Sequence, residues 1–184
     1  MIENFAGGPG KPESNERIKL TPVRIFSTGG TIDSSPDYDP KQKSVFQGTN
    51  LPRMFAQARL PSEVALEPLM QKDSMDITAE DRQLMLDRCM SAKESRILIT
   101  HGTDTMAETA RFLGEKDVGD KTVVLVGSFV PLSQENSDAF FNLGYAYAAT
   151  QTLPAGVWVA INGEIFEWNN VRKNKERGRF EKAQ

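Results

Sequence analysis

Cysteine and histidine each occur only once in the 184 residues, as Cys89 and His101. A single cysteine excludes an intramolecular disulfide, and with it the class of small secreted domains that disulfides hold together. A zinc site built from cysteine and histidine is excluded as well, because such sites use three or four of these ligands. Any metal would have to bind carboxylates and carbonyls, and we predict a protein with neither a metal nor a cofactor.

Long apolar runs are also missing. No window reaches the roughly 18 apolar residues of a membrane-spanning helix. The first thirty residues have no basic segment followed by an apolar one, which a secretory signal requires. The composition, 39% hydrophobic and 26% charged, is that of an ordinary globular domain. We therefore expect a cytoplasmic protein that does not bind membranes.

The net charge of −3 conceals a basic segment at the end of the chain. Residues 171–184 carry six Lys or Arg against two Glu. Such a segment could bind nucleic acid, but Phe180 is its only aromatic residue, and a single ring provides little surface for base stacking. We interpret the segment as a solvated polar tail and predict no nucleic-acid binding.

Short apolar runs alternate with helical patterns through most of the chain. Four runs are typical of buried parallel strands, at residues 23–27, 96–100, 122–127 and 156–161. The spacing of apolar residues predicts helices at about residues 78–93, 105–114 and 137–150, and a weaker one at 51–58. The alternation predicts an α/β fold: a doubly wound, mainly parallel sheet with helices on both faces.

Two local patterns refine this prediction. Thr78, followed three residues later by Asp81, resembles a capping box at the start of the first long helix. Residues 1–22 are rich in glycine, proline and charge and lack apolar periodicity. We therefore expect residues 1–22 to form a flexible extension and residues 23–184 to form one domain.

Two loops could carry chemistry, because ligands of open α/β sheets bind beyond the carboxyl ends of the strands. Residues 28–31, with sequence TGGT, follow the first predicted strand, and two glycines would let backbone amides approach a ligand there. Residues 101–105, with sequence HGTDT, follow the next one and precede a helix N-terminus, which favours anions. Thr103 or Asp104 could also be an ordinary helix N-cap, and both interpretations stay open. No phosphate-binding P-loop motif occurs.

These two loops together resemble the signature motifs of the bacterial-type L-asparaginase family. The motifs are TGGTI at residues 28–32 and ITHGTDTM at residues 99–106. Further similar stretches lie at residues 72–76, 123–131, 137–144 and 171–173. The resemblance implies a flavodoxin-like N-terminal domain of this family, without the family's C-terminal domain. It also implies a homodimer or a higher homo-oligomer.

Catalytic roles follow from the resemblance, position by position. The family's nucleophile falls on Thr31, and a threonine hydroxyl needs a base beside it to react. The hydrogen-bonded threonine, aspartate and lysine that supply this base fall on Thr103, Asp104 and Lys173. The family's loop tyrosine would be expected at Ser44. Either the loop is shifted so that Tyr38, which has a phenolic hydroxyl, takes that role, or the role is missing; we assign it to Tyr38.

Substrate-binding roles follow in the same way. They fall on Ser74 and Met75, in the loop before the first long helix, and on Thr103 and Asp104. Backbone amides around Gly30 and Gly102 would face the reacting carbonyl, as an oxyanion site requires.

The resulting expectation is an amidohydrolase that acts on a small-molecule amide, with L-asparagine, converted to L-aspartate and ammonia, as the default substrate. A non-catalytic domain that binds or senses amino acids is the alternative. A third interpretation makes His101 the general base of a hydrolase, as the only imidazole in the chain. Its place directly before Gly102 favours a role in positioning the loop instead.

Overall fold

Among the described residues, five parallel strands and one antiparallel edge strand form the central sheet. The computed structural model describes residues 20–34, 48–60 and 64–184. The strands are β1 (Val23–Gly29), β2 (Val64–Lys72), β3 (Arg96–Thr100), β4 (Thr122–Val126), β5 (Gly156–Ile161) and β6 (Glu164–Glu167). Their order across the sheet is β2-β1-β3-β4-β5-β6, and only β6 runs antiparallel to its neighbour.

In the part of the chain that the structure describes, two helices cover each face of this sheet. They are α1 (Leu51–Ala58), α2 (Ala79–Ser91), α3 (Met106–Glu115) and α4 (Ala139–Thr152). Successive side chains of a strand point to opposite faces. Ile97 and Ile99 of β3 accordingly pack with α2 and α3, whereas Leu98 packs with α1 and α4. The predicted doubly wound α/β fold is confirmed.

Helix α2 begins with the predicted capping box. The Thr78 hydroxyl accepts the Asp81 N–H at 3.3 Å, and the Asp81 carboxylate accepts the Thr78 N–H at 2.9 Å. Two backbone donors that the first helical turn cannot pair are thereby satisfied.

Strand β2 was not predicted. It lies at the edge of the sheet and pairs only with β1, so most of its side chains are half-buried. It contains Glu67 and Pro68, and proline is tolerated in edge strands because it lacks the ladder donor. An edge strand of this kind shows no continuous apolar run, and therefore leaves little trace in the sequence.

The basic segment at the end of the chain is a hairpin, and the prediction of a solvated tail is wrong. Strands β7 (Arg172–Asn174) and β8 (Arg179–Glu181) pair antiparallel. Val171 and Phe180 are buried in the core on the α2 and α3 side of the sheet. In three-residue strands, one or two inward side chains are enough to anchor the hairpin, while most of the charged ones face solvent.

The predicted extension, residues 1–22, lies outside the described residues up to residue 19. Thr21 is described, and its N–H donates to the Gln151 side chain at the end of α4 at 3.1 Å. Within the described part of the chain, no helix is both long enough and apolar enough to cross a membrane.

Candidate active site

Three loops converge at the carboxyl edge of the sheet, where the strand order changes direction around β1. Because β1, β2 and β3 are mutually parallel, the loops that follow them leave the sheet on the same side. They contain the predicted residues Gly30 and Thr31, Ser74 and Met75, and Gly102 to Asp104, respectively. The fold therefore brings two signature loops and the Ser74 loop together.

Glycine allows these loops to touch through their backbones. A β-carbon added at Gly30 would lie 2.5 Å from the Gly102 Cα, and one added at Gly102 would lie 2.7 Å from the Ser74 Cβ and Oγ. Gly30 also has a positive φ of 76°, which L side chains rarely adopt. The contacts from Gly30 to Gly102 and from Gly102 to Ser74 leave no room for a side chain at either glycine.

Ser74 is buried beneath the loop that follows β3. Its hydroxyl accepts the Asp104 N–H at 3.2 Å, and its carbonyl accepts the Thr105 hydroxyl at 2.6 Å. Ser74 thus holds the backbone of Asp104 in place, and its hydroxyl proton is left for another acceptor. The side chain of Met75, in contrast, is 66% exposed.

Lys173 joins Thr103 and Asp104 in a single hydrogen-bonded cluster. Its Nζ donates to the Thr103 Oγ1 at 2.7 Å and to the Asp104 Oδ1 at 2.8 Å. The lysine comes from β7, about seventy residues beyond its two partners. Neither Thr103 nor Asp104 is the N-cap of α3, since that position is occupied by Thr105.

Thr31 begins a short 3-10 helix and is partly exposed. The Gly30 N–H donates to the Lys72 carbonyl at 3.0 Å. The Gly30 N–H is therefore already hydrogen-bonded and is not free to face the reacting carbonyl. This amide is removed from the predicted oxyanion site. Its bond instead fixes the Thr31 loop against the end of β2.

Asp33 is a site-adjacent residue that no sequence pattern indicated. Its carboxylate is buried and accepts the hydroxyls of Ser27 at 2.6 Å and Thr49 at 2.9 Å, and the N–H of Asn50 at 2.6 Å. These bonds tie the turn of Thr31 to β1 and to the residues before α1. No local pattern distinguishes such a carboxylate from an exposed one, because its partners come from two separate segments.

The tyrosine of the predicted site falls on a part of the chain that the structure does not describe. Tyr38 and Ser44 lie outside the described residues, and the role assigned to Tyr38 stays a prediction. Among residues 20–34, 48–60 and 64–184, no group of three or more His, Cys, Asp or Glu side chains could hold a metal ion.

His101 is fully buried beneath the loops, and both its ring nitrogens have partners. Nδ1 lies 2.8 Å from the Gly102 carbonyl, and Nε2 lies 2.9 Å from the Thr109 hydroxyl. A carbonyl only accepts, so Nδ1 carries the proton and Nε2 accepts from Thr109. Burial lowers the pKa of His101 to about 4, although the bond to Gly102 opposes this, and nearby Arg82 lowers it further.

These contacts argue against His101 as a general base. The imidazole is neutral at pH 7, but its only basic nitrogen accepts from Thr109, whose hydroxyl also accepts the Arg82 Nε–H at 3.1 Å. A base must reach the proton that it abstracts. His101 instead holds the carbonyl of Gly102, which supports the interpretation of a loop-positioning residue.

The fold and the site together define a class: a doubly wound α/β protein with threonine, aspartate and lysine clustered at the carboxyl ends of its strands. Residues 22–180 match the family described as Asparaginase, N-terminal. The chain belongs to the asparaginase family.

Individual relatives agree with this assignment. The chain is 32% identical over 173 residues to a glutaminase-asparaginase of Pseudomonas fluorescens biotype A, covering 88% of this chain and 48% of that protein. It is 31% identical over 169 residues to L-asparaginase 2 of Escherichia coli strain K12, covering 87% and 48%. The crystal structure of L-asparaginase I from Vibrio cholerae superposes with a TM-score of 0.76 at 27% identity, covering 89% and 52%. The chain thus spans about half the length of these relatives.

We expect Gly102→Ala to disturb the site because its new methyl group would collide with Ser74. The free energy of unfolding, measured by urea denaturation, should fall by about 1–3 kcal/mol, the usual cost of overpacking. Gly144→Ala in α4 is the matched control, since its β-carbon would meet nothing within 4 Å. The control should be neutral or stabilising by up to about 1 kcal/mol. Equal effects of the two variants would contradict the close approach at Gly102.

We also expect stability to depend on pH through His101. The unfolded chain binds a proton near pH 6.5, whereas the folded protein resists protonation down to about pH 4. Stability is therefore fully present above pH 6.5 and decreases as the pH falls, by up to about 3 kcal/mol at pH 4. Urea denaturation of the wild type and of His101→Asn between pH 7 and pH 4.5 measures this decrease. A decrease of the same size in both proteins would rule out His101 as its origin.

Proposed function

We propose that the protein is an amidohydrolase that uses Thr31 as its nucleophile and cleaves the side-chain amide of a small amino acid, with L-asparagine as the default substrate. The observation that carries the proposal is the cluster of Lys173, Thr103 and Asp104. Thr103 and Asp104 lie on the loop that contacts the Thr31 loop through Gly30 and Gly102, and Lys173 reaches them from β7. A threonine nucleophile needs such a base nearby.

The cluster has the hydrogen-bond inventory of a proton acceptor. When a lysine acts as a base its amine has two N–H groups, which suffice for the Thr103 Oγ1 and the Asp104 Oδ1, and a lone pair that accepts the proton. Asp104 orients the amine, and Thr103 keeps its own hydroxyl proton to relay. Lys173 is partly buried, with 15% of its side chain exposed, so competition from water is limited.

In the proposed reaction, the Thr31 Oγ bonds to the amide carbon while its proton passes to the Lys173 and Thr103 pair. The C–N bond then breaks, and the nitrogen takes that proton and leaves as ammonia. An acyl ester on Thr31 remains. A water molecule gives a proton to the same pair while its oxygen bonds to the ester carbon. The bond from that carbon to the Thr31 Oγ then breaks, the pair returns the proton to the Thr31 Oγ, and the carboxylic acid leaves.

Substrate binding is assigned to the surrounding loops. The proton of the buried Ser74 hydroxyl would be donated to the substrate carboxylate, and Asp104 would accept from its amino group. Met75, beside Ser74, and the backbone near Gly102 would complete the pocket. Tyr38 as an aid to activation and the homodimer or higher homo-oligomer belong to the same proposal and come from the family resemblance. The cytoplasmic location is also proposed, on the composition of the sequence alone.

The test is ammonia release from L-asparagine, L-glutamine and a panel of other small amides. Thr31→Ala removes the nucleophile and should lower kcat about a thousandfold or more. Lys173→Ala removes the base and should cost about a hundredfold or more. Lys175→Ala, an exposed lysine on the same hairpin, is the matched control and should retain wild-type activity. Wild-type activity no greater than that of Thr31→Ala on every amide would refute the proposal.

A non-catalytic amino-acid-binding domain is the second candidate. It would use the same contacts, the buried Ser74 hydroxyl and the Asp104 carboxylate, without chemistry at Thr31. Titration calorimetry with L-asparagine and L-aspartate would then show binding without turnover, and Thr31→Ala would bind as tightly as the wild type. Turnover that depends on Thr31 would exclude this candidate.

A further inference from the structure

The ring of Phe129 lies against the amine of Lys173. The Lys173 Nζ is 5.1 Å from the ring centroid, within the range of a cation–π interaction. Phe129 follows β4 and is only half-buried, but the lysine beneath it is 15% exposed. Such contacts are stronger when the cation is withdrawn from water. The amine is therefore surrounded by three groups: the Thr103 hydroxyl, the Asp104 carboxylate and this ring.

The backbone that carries Phe129 is firmly anchored. The Phe129 N–H donates to both oxygens of the Asp138 carboxylate, at 3.0 and 3.1 Å, and the Val130 N–H donates to one of them at 3.0 Å. Asn142 of α4 donates to the same carboxylate at 2.8 Å and to the Gly127 carbonyl at 3.0 Å. These bonds clamp the loop after β4 to the start of α4.

Phe180 connects the ring to the hairpin that carries the lysine. It lies directly opposite Lys173 in the register of β7 and β8, and it is almost completely buried. Its ring meets that of Phe129 edge to face, with centroids 6.1 Å apart and planes at 66°, a favourable aromatic geometry. The hairpin therefore presents the lysine and packs against the ring that the lysine contacts.

We propose that Phe129 is a positioning residue, which holds the Lys173 amine toward Thr103 and Asp104 and stabilises it once it carries a proton. The inference rests on the proposed function of Lys173 as the base for Thr31. The quadrupole of an aromatic ring attracts a cation, and far less a neutral amine. The contact strengthens when Lys173 accepts the proton, so it stabilises the transition state more than the bound substrate and raises kcat.

Phe129→Leu tests this by replacing the ring with an aliphatic side chain, and Phe129→Tyr by keeping the ring. Loss of a cation–π contact of about 1.4 kcal/mol corresponds to a tenfold effect. We expect kcat on the hydrolysed amide to fall about tenfold in Phe129→Leu with KM nearly unchanged, and to stay within about threefold of wild type in Phe129→Tyr. Phe129→Met repeats the aliphatic comparison if the leucine variant does not fold.

Phe112→Leu is the matched control. Phe112, near the C-terminal end of α3, has the Lys116 Nζ 5.9 Å from its ring centroid and is a second aromatic and lysine pair. Removing that ring should leave kcat and KM unchanged.

A second measurement does not need activity. An aromatic ring shifts the NMR signals of the Lys173 methylene groups beside it, and Lys173→Arg identifies those signals by their loss. The ring-induced shift should disappear in Phe129→Leu and persist in Phe129→Tyr. If the wild type hydrolyses no amide, the proposed function fails, and this shift alone decides whether Phe129 positions the lysine.

Three results would overturn the proposal for Phe129. The first is an unchanged Lys173 methylene shift in Phe129→Leu. The second is a wild-type kcat in that variant despite a lost shift. The third is an equal loss of kcat in the leucine and tyrosine variants, which would indicate a packing role that does not depend on the ring's interaction with the amine.

Discussion

The site depends on one constraint, the backbone contact between Gly30 and Gly102. Each glycine belongs to a loop that leaves the sheet from a neighbouring strand, and neither has space for a β-carbon. This approach puts the loop of Thr31 against the loop that carries Thr103 and Asp104. A side chain at either position would separate the proposed nucleophile from the cluster around Lys173.

Buried polar groups keep the two loops in this arrangement. Below the Gly102 loop, a chain of hydrogen bonds runs from Arg82 through Thr109 and His101 to the Gly102 carbonyl. Below the Thr31 loop, Asp33 accepts from two hydroxyls and a backbone N–H. Buried polar groups are costly unless they are paired, and paired ones hold a single geometry. The only histidine is therefore a structural support for the loop.

The hairpin at the end of the chain completes the site. Its charges are typical of a solvated segment, yet Phe180 is buried in the core. Lys173 donates hydrogen bonds to Thr103 and Asp104. The chain belongs to the asparaginase family and spans about half the length of the relatives that it matches.

The sequence by itself determined the strands and helices with continuous apolar runs or helical periodicity, the capping box at Thr78, and the two glycine and threonine loops. These are local patterns, each formed by a few neighbouring residues. The resemblance also singled out Lys173, but from composition alone it was one basic residue among six. Only the tertiary structure decided the edge strand β2, the burial of Asp33 and the placement of Phe129 against Lys173. Each of these depends on partners from distant segments, as with the seventy positions between Lys173 and Thr103, and such partners leave no periodic signal in the chain.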